Sequence, residues 1–323
     1  MTQKYRKTNP GPFYTWPMGA WFTVFFVIPL LIIVLYAFLK RDVYIGVVKE
    51  FSLEAFKQMF KPRYAIILLR TLYIAAVSTL ITILLALPCG YAMARSKYQT
   101  LFLVLVIIPF LTNSLIRIFA WKLILGENSA FSTGINSFFK FFFDTWHKMG
   151  LGNADAAYKP VHFMFTKNAV ILVSIYMYLP YAILPIFTAV DRFDFALLEA
   201  ARDLGATKAQ SMFKVLIPGI KSGIVSALIF TFIPIFGAYT VPQLVGGKDS
   251  YMIGNFIVDR VQKVRNWPLA SAFSVLITVI SMIAILWMLN TSRQEAALKK
   301  MSNKEDALAA GNIAKAINNG GAK

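Results

Sequence analysis

Charged residues are scarce in this chain of 323 residues, and their scarcity excludes an ordinary soluble domain. Only 15% of the residues are Asp, Glu, Lys or Arg, whereas soluble domains carry about 25%. Hydrophobic residues make up 58% of the chain and aromatic residues 15%. This balance is typical of a protein embedded in a membrane.

Cysteine and histidine are almost missing, and this excludes several kinds of site. Cys89 stands alone in an apolar segment, so we expect neither a disulfide framework nor a Cys-x-x-Cys metal or redox pair. His147 and His162 lie in one long loop, without the i,i+4 spacing of paired metal ligands on a helix. We therefore expect no bound metal and no catalytic residue.

A phosphate-binding loop is also missing. Gly246-Gly247-Lys248-Asp249 lacks the upstream glycine and the hydroxyl residue after lysine that ATP-binding loops require. If ATP drives this protein, another chain must hydrolyse it. The sequence thus predicts a non-catalytic protein that binds no cofactor itself.

Acidic residues are outnumbered, with 15 Asp and Glu against 33 Lys and Arg and a net charge of +18. The basic residues are spread through every loop and both tails, as expected for charges that anchor helices at anionic headgroups. We therefore expect contact with a lipid bilayer and no nucleic-acid partner.

Long apolar runs are what the chain has in abundance. A helix needs about 20 apolar residues to cross the hydrocarbon of a membrane, and only helices or closed barrels satisfy the backbone there. The chain divides into a head (1–17), a transmembrane domain (18–290) and a polar tail (291–323). Six segments of that domain contain no charged residue and are predicted spans: 18–39, 71–94, 98–116, 168–190, 222–245 and 268–289. The first is too long for a cleaved signal peptide.

A polar stretch, 191–221, separates spans four and five. Its residues 197–204 favour a helix that places Glu199 and Asp203 on one face. Gly205 suits a positive φ at the helix end, and Thr207 can cap a second short helix from Lys208 to Val215. Pro218 suits the first turn of span five. The sequence predicts two short, rigid helices between two spans.

This spacing resembles the cytoplasmic coupling loop of importer-type ABC permeases. The residues that carry the resemblance are Glu199, Ala200, Ala201, Arg202, Asp203, Gly205, Val215, Ile217 and Pro218. Val215 stands where the pattern prefers Ile, and Ile217 where it prefers Leu. The resemblance implies that these residues contact a separate ATPase subunit, whose nucleotide-driven closure moves the spans.

The resemblance extends from span two to span six and is greatest to the spermidine/putrescine permeases. Segments 109–117, 244–255 and 266–271 are similar to that subfamily's third span and its loop between spans five and six. It implies an all-α, six-span permease bundle in the inner membrane, with both termini cytoplasmic. It also implies a polyamine cargo, two ATPase copies that use ATP and Mg²⁺, a second and different permease, and an external solute-binding protein.

Other functions stay open at this point. Related permeases carry iron(III) or sulfate, so the cargo could be another small solute. A carrier driven by an ion gradient is a further alternative, although such carriers usually place carboxylates within their spans. Lys and Arg are divided almost evenly between the two sides, so the orientation depends on the coupling-loop resemblance.

The path of the cargo is predicted from polar and aromatic residues within or beside the spans. Cations favour aromatic faces and neutral oxygens, and the acids Glu127, Asp249 and Asp259 lie in or near loops. A Phe-rich segment, 138–143, is expected to pack at an interface or against a partner. The path candidates are Thr112, Asn113, Ser114, Tyr176, Tyr178, Tyr239, Thr240 and, near the outer mouth, Trp267.

Overall fold

A computed structural model describes residues 11–42, 46–148, 160–287 and 290. Most of these residues form helices, and the described residues also contain a two-stranded hairpin. The chain divides into two compact units, residues 1–71 with 251–279, and residues 72–250 with 280–323. Residues 1–10 of the predicted head and the whole predicted tail, 291–323, lie outside the described residues.

The first unit begins with a helix, α1, that runs from Gly11 to Ala37. It consists of Gly11–Phe22, a wider π-helical turn Thr23–Val27, and Ile28–Ala37. The antiparallel hairpin β1 (Leu39–Arg41) and β2 (Val47–Phe51) follows, and then a short helix α2 (Glu54–Met59). The hairpin is a departure from the all-helical prediction.

Aromatic and aliphatic side chains form the core of this unit. Tyr64 contacts both Phe256 and Phe273 edge-on, at 5.2 and 5.6 Å between ring centres. Phe256 belongs to helix α12 (Ile253–Gln262), and Phe273 to helix α13 (Trp267–Trp287). Thr71 fixes α12 in place, because its hydroxyl accepts a hydrogen bond from the Ile253 amide at 2.9 Å.

The second unit contains the remaining helices. In chain order they are α3 (Pro62–Arg95, shared with the first unit), α4 (Gln99–Leu111), α5 (Ser114–Leu125), α6 (Ala130–Lys148), α7 (Lys167–Asp191), α8 (Ala196–Asp203), α9 (Lys208–Gly219), α10 (Lys221–Phe236) and α11 (Thr240–Val245).

Close packing between α7 and α10 holds this unit together. Gly223 of α10 lies so near α7 that an added β-carbon would meet the Ala189 side chain and, at 2.9 Å, the Pro185 carbonyl. Gly90 of α3 approaches α7 in the same way, with Ile186 Cγ2 at 2.8 Å from the β-carbon position. Small residues thus let the helix backbones touch, as in other membrane bundles.

The described helices can make the six predicted membrane crossings only if two of the crossings are formed by bent pairs of helices. Four described helices are long and apolar enough to cross a membrane: Thr15–Ala37, Pro62–Arg95, Lys167–Asp191 and Trp267–Trp287. The helices after Ser114 continue from α4 at 88°, and α10 continues from α9 at 70°. Predicted span three is therefore interrupted at Thr112 and Asn113, and predicted span five stops at Phe236 and resumes in α11.

Candidate coupling site and cargo path

The first helix of the predicted coupling loop is α8, which we call the first coupling helix after that prediction, and it begins and ends with local hydrogen bonds. An Asp194 carboxylate oxygen accepts from the Ala196 amide at 3.0 Å, which initiates the helix. At the other end Gly205 has a φ of +88°, and its amide donates to the Arg202 carbonyl at 2.8 Å. The Ala206 amide reaches the Ala201 carbonyl at 3.0 Å. These two bonds form a Schellman motif, a helix ending in which one residue, usually glycine, has a positive φ. The positive φ predicted for Gly205 is therefore present.

The second coupling helix, α9, begins with a reciprocal cap. The Thr207 hydroxyl accepts from the Gln210 amide at 3.2 Å, while the Gln210 side chain accepts from the Thr207 amide at 3.0 Å. This capping box satisfies two amides that the helix itself cannot. The predicted cap at Thr207 is therefore present.

The prediction for Pro218 is wrong in its placement. The second helix does not end at Val215 but continues to Gly219 through a π-helical turn, Met212–Leu216. Pro218 is thus in the last turn of α9, and span five begins after Ile220 as the separate helix α10. The π turn lets the Ile217 amide bond to the Met212 carbonyl just before the proline, which has no amide hydrogen to donate.

Buried side chains fix both coupling helices to the ends of the long helices. Leu198, Leu216 and Ile220 are buried in the core that α3 and α7 share. The Arg95 guanidinium lies 4.9 Å from the ring centre of Phe195, and the Gln99 side chain donates to Asp191 at 3.4 Å. The turn between α3 and α4 therefore lies at the same end of this unit as the coupling helices.

The coupling residues predicted from the sequence mostly face outward. Ala201, Val215 and Ile217 are half-buried, and the exposed members are Glu199, Ala200, Arg202, Asp203, Gly205 and Pro218. Two apolar side chains that sequence reasoning missed share this surface, since Leu204 is 89% exposed and Phe213 69% exposed. The signal in the sequence that could have identified them is an apolar residue within a polar segment.

Three path candidates, Thr112, Asn113 and Ser114, form the break between α4 and α5. The Thr112 hydroxyl donates to the Pro109 carbonyl at 2.6 Å. The Asn113 side chain accepts from the Leu115 amide at 2.8 Å and caps α5. Thr112 and Asn113 thus use polar atoms to end one helix and start the next, although all three residues remain exposed.

The tyrosines of α7 face different neighbours. Tyr176 packs edge-on against Trp121 of α5 at 5.5 Å between ring centres. Tyr178 lies 5.7 Å from Tyr181, which in turn contacts Phe110 of α4 at 4.9 Å. Residues two apart on a helix point about 200° away from each other, so Tyr176 and Tyr178 do not line one surface.

The other path candidates divide between the two units. Tyr239 and Thr240 lie where α10 ends and α11 begins, and α11 packs against both α5 and α7. The second unit therefore brings the break in span three, Tyr176 and the break in span five onto neighbouring helices. Trp267 belongs to the first unit, where it packs edge-on against Tyr36 at 5.7 Å.

The sequence that forms these helices matches a known protein family. Residues 79–293 match the family described as the inner membrane component of binding-protein-dependent transport systems. The chain belongs to this family. It is a helical inner membrane permease.

Several curated relatives cover most of this permease. The spermidine/putrescine transport system permease protein PotB of Salmonella typhimurium strain SL1344 is 34% identical over 271 residues, 83% of this chain and 89% of the relative. PotB of Escherichia coli K12 is 33% identical over 271 residues, 83% and 93% of the two chains. The inner membrane ABC transporter permease protein YdcU of Escherichia coli K12 is 30% identical over 270 residues, 79% and 80%.

Solved structures share the fold of the permease. A chain of a bacterial ABC transporter involved in the import of the acidic polysaccharide alginate matches with a TM-score of 0.64 and 16% identity, over 88% of this chain and 96% of that one. A structure of the alginate transporter in complex with a pentasaccharide-bound periplasmic protein matches with a TM-score of 0.62 and 16% identity, over 87% and 93%. At this identity the likeness is one of fold.

The candidate acids of the permease already have partners within their own units. Glu127 lies 3.2 Å from His162 Nδ1, and Asp249 accepts from the Lys167 amide at 3.1 Å. Asp259 accepts from Tyr251 at 2.8 Å and pairs with Lys263 at 2.7 Å. Burial of the Asp259 carboxyl acts to raise its pKa, but the hydrogen bonds from Lys263 and Tyr251 outweigh it and lower the pKa.

Proposed function

We propose that this chain is the permease subunit of an ATP-driven importer that carries polyamines such as spermidine and putrescine across the inner membrane. The observation that carries the proposal is the 33–34% identity to the spermidine/putrescine permeases over 83% of the chain. The segments 109–117 and 244–255, on which the subfamily resemblance rests, lie within the matched family region.

The coupling surface is the proposed contact with an ATPase subunit. Its centre is Glu199, Ala200 and Asp203 on the exposed face of α8, with Leu204 and Phe213 as the apolar contacts. Two capped helices anchored by buried leucines can transmit a push from a partner, whereas a flexible loop would absorb it. Two ATPase copies would bind ATP and Mg²⁺, and this chain would hydrolyse nothing.

Transport would proceed by alternating access. Binding of ATP would draw the coupling surfaces of two permease subunits together and open the cavity outward to an external solute-binding protein, and hydrolysis would reset it. A structural neighbour in complex with a periplasmic protein supports an external donor for this family. The second permease would be a different chain, and both termini of this chain would face the cytoplasm.

A polyamine path through this chain would have to use uncharged groups. The predicted spans contain no carboxylate, so tyrosine rings, hydroxyls and backbone carbonyls are the groups that could receive ammonium ions. Tyr176 beside Trp121, and the carbonyls freed at the breaks near Asn113 and Tyr239, are the proposed contacts. Acidic groups would come from the second permease.

The decisive experiment is the ATPase activity of the purified complex, reconstituted in vesicles with its solute-binding protein. We expect spermidine or putrescine to stimulate ATP hydrolysis. Sulfate and iron(III) with the same complex are the matched controls. Stimulation by either of these without stimulation by spermidine would overturn the polyamine assignment and leave the ABC permease intact. Uptake driven by an ion gradient without ATP would overturn the whole proposal.

A further inference from the structure

An open apolar groove lies in the first unit, beside the end of α1 and the β1–β2 hairpin. Its volume is about 990 Å³. It is lined by Ile32 and Leu35 of α1, by Val47 and Phe51 of β2, and by Trp267 at the start of α13. Leu35 is 60% exposed and Phe51 76% exposed. The groove is therefore accessible to the molecules that surround this unit.

The groove lies where the first span leaves the hydrocarbon of the membrane. The apolar helix Thr15–Ala37 has 23 residues, a length of about 34 Å at 1.5 Å per residue, which is enough to cross hydrocarbon about 30 Å thick. Ile32 and Leu35 belong to its last turns, and the hairpin follows directly after it. Tyr36 and Trp267, which line the groove and contact each other, are aromatic residues of the kind found at headgroup level. The groove thus extends from the headgroups toward the acyl chains.

Helix α1 has few contacts with the rest of its unit. Among its described side chains Ala37 alone is buried, where it packs with Ala55 and Ala272. The apolar stretch before Ala37 contributes no buried residue. The space beside this stretch must be filled by apolar groups, because exposure of so much apolar surface to water is costly.

The hairpin places one positive charge at this groove. Alternate residues of a strand point to opposite sides, so Val47, Lys49 and Phe51 share the face that lines the groove. Glu50 points to the other side, where its carboxylate lies 2.7 Å from Lys40 Nζ. Lys49 is exposed and forms no ion pair with another described residue. The described lining contains no Asp or Glu, so the charge of Lys49 is not neutralised within the chain.

We propose that the groove binds an anionic phospholipid, with an acyl chain along Ile32 and Leu35 and the phosphate at the Lys49 ammonium group. An apolar groove with one cation at headgroup level complements both parts of such a lipid. A polyamine does not fit, because Lys49 repels cations. A zwitterionic lipid fits less well, since its own ammonium group is also repelled. The bound lipid fills the space beside α1 and fastens this helix to the hairpin and to Trp267.

The test uses the complete transporter complex in phosphatidylcholine vesicles that contain a trace of a photoreactive lipid. The two probes are phosphatidylglycerol and phosphatidylethanolamine, each with a diazirine on the same acyl chain, and cross-links at Trp267 are measured by mass spectrometry. We expect phosphatidylglycerol to label Trp267 about fivefold more than phosphatidylethanolamine, because one lysine near the surface favours an anionic lipid by about this factor. Lys49→Gln should remove the difference. Lys61→Gln is the matched control, since Lys61 is an exposed cation of the same unit that does not line the groove.

A second pair of variants tests whether the acyl chain occupies the groove. Leu35→Trp fills the groove and should lower labelling of Trp267 by phosphatidylglycerol several-fold. Leu31→Trp should leave it unchanged, because Leu31 is exposed one turn earlier on α1 but outside the groove. Equal labelling by the two lipids, or a preference that survives Lys49→Gln, would reduce the groove to ordinary contact with bulk lipid and overturn the proposal. Cross-links from a photoreactive residue at position 51 to another subunit, without lipid labelling of Trp267, would show that protein fills the groove and would also overturn it.

Discussion

Gly205 marks the end of the first coupling helix, and its backbone explains why glycine is needed there. Its φ of +88° favours glycine, yet nothing lies within 4 Å of the position that a β-carbon would occupy. The constraint is therefore conformational and not steric. The energy that an ordinary L-residue loses in this conformation is about 1–2 kcal/mol.

We expect Gly205→Val to destabilise the coupling helices and to uncouple ATP hydrolysis from uptake, because a β-branched residue disfavours positive φ. Gly205→Asn is the matched control, since asparagine tolerates this conformation. The measurement is the ratio of solute imported to ATP hydrolysed by the reconstituted complex. Equal coupling in the two variants would show that the backbone conformation at residue 205 is unimportant.

Gly223 is constrained in the opposite way, by the space around it. An added β-carbon would meet the Ala189 side chain and the Pro185 carbonyl of α7. We expect Gly223→Ala to lower the thermal midpoint of the purified complex, by overpacking that costs about 1–3 kcal/mol. Addition of Ala189→Gly should restore part of the loss.

Gly237→Ala is the control for this prediction. The nearest atom to its β-carbon position is the Ile233 carbonyl oxygen at 3.8 Å, an ordinary contact, so the midpoint should stay unchanged. Equal effects of the substitutions at 223 and 237 would contradict the close approach of α7 and α10.

At the scale of elements, the coupling helices show which features a sequence reveals. The cap at Thr207, the turn at Gly205 and the extent of α8 depend on residues within a few positions of one another, and all three were predicted. The continuation of α9 through Pro218 was not predicted. A π turn upstream of a proline depends on how Leu216 and Ile220 are buried by other helices.

Helix α6 is an element with an unpartnered apolar face among the described residues. Phe138 is 65% exposed and Phe142 61% exposed, and they are four positions apart, on one face of the helix. Asn136 on the other side bonds to the backbone of Val161 in both directions, at 2.8 and 3.2 Å. The predicted role of the Phe-rich segment, packing at an interface or against a partner, requires the exposed face to be covered.

We expect cysteines at positions 138 and 142 to react several-fold more slowly with a water-soluble maleimide than a cysteine at position 140, when the assembled transporter is in its native membrane. Lys140 is the control because it is exposed on the opposite side of the same helix. Equal labelling rates at positions 138, 140 and 142 would mean that the Phe-rich face is exposed to water. This face would then contact neither lipid nor protein.

At the scale of the whole molecule, the proposed orientation in the membrane is defined by which end of the second unit faces the cytoplasm. The coupling helices and the turn between α3 and α4 are joined by the contact between Gln99 and Asp191. Glu127 lies beyond the break in span three, in the excursion before α7. The proposed topology places the coupling helices in the cytoplasm and Glu127 outside.

We therefore expect Glu199→Cys to react with a membrane-impermeant thiol reagent only when the cytoplasmic side is open, and Glu127→Cys to react in intact cells. Both side chains are exposed, so accessibility itself does not limit the reaction. A cross-link from position 199 to the ATPase subunit would extend the result to the partner. Labelling of position 199 from outside would reverse the topology.

The sequence by itself determined the class of this protein and the local design of its coupling helices. Apolar runs predict membrane helices because the hydrocarbon requires about 20 apolar residues for each crossing, and caps depend on neighbouring residues alone. Only the tertiary structure decided where spans three and five break and which neighbours Tyr176 and Tyr178 face. These features depend on burial by helices distant in sequence, and hydropathy along a single chain does not contain that information.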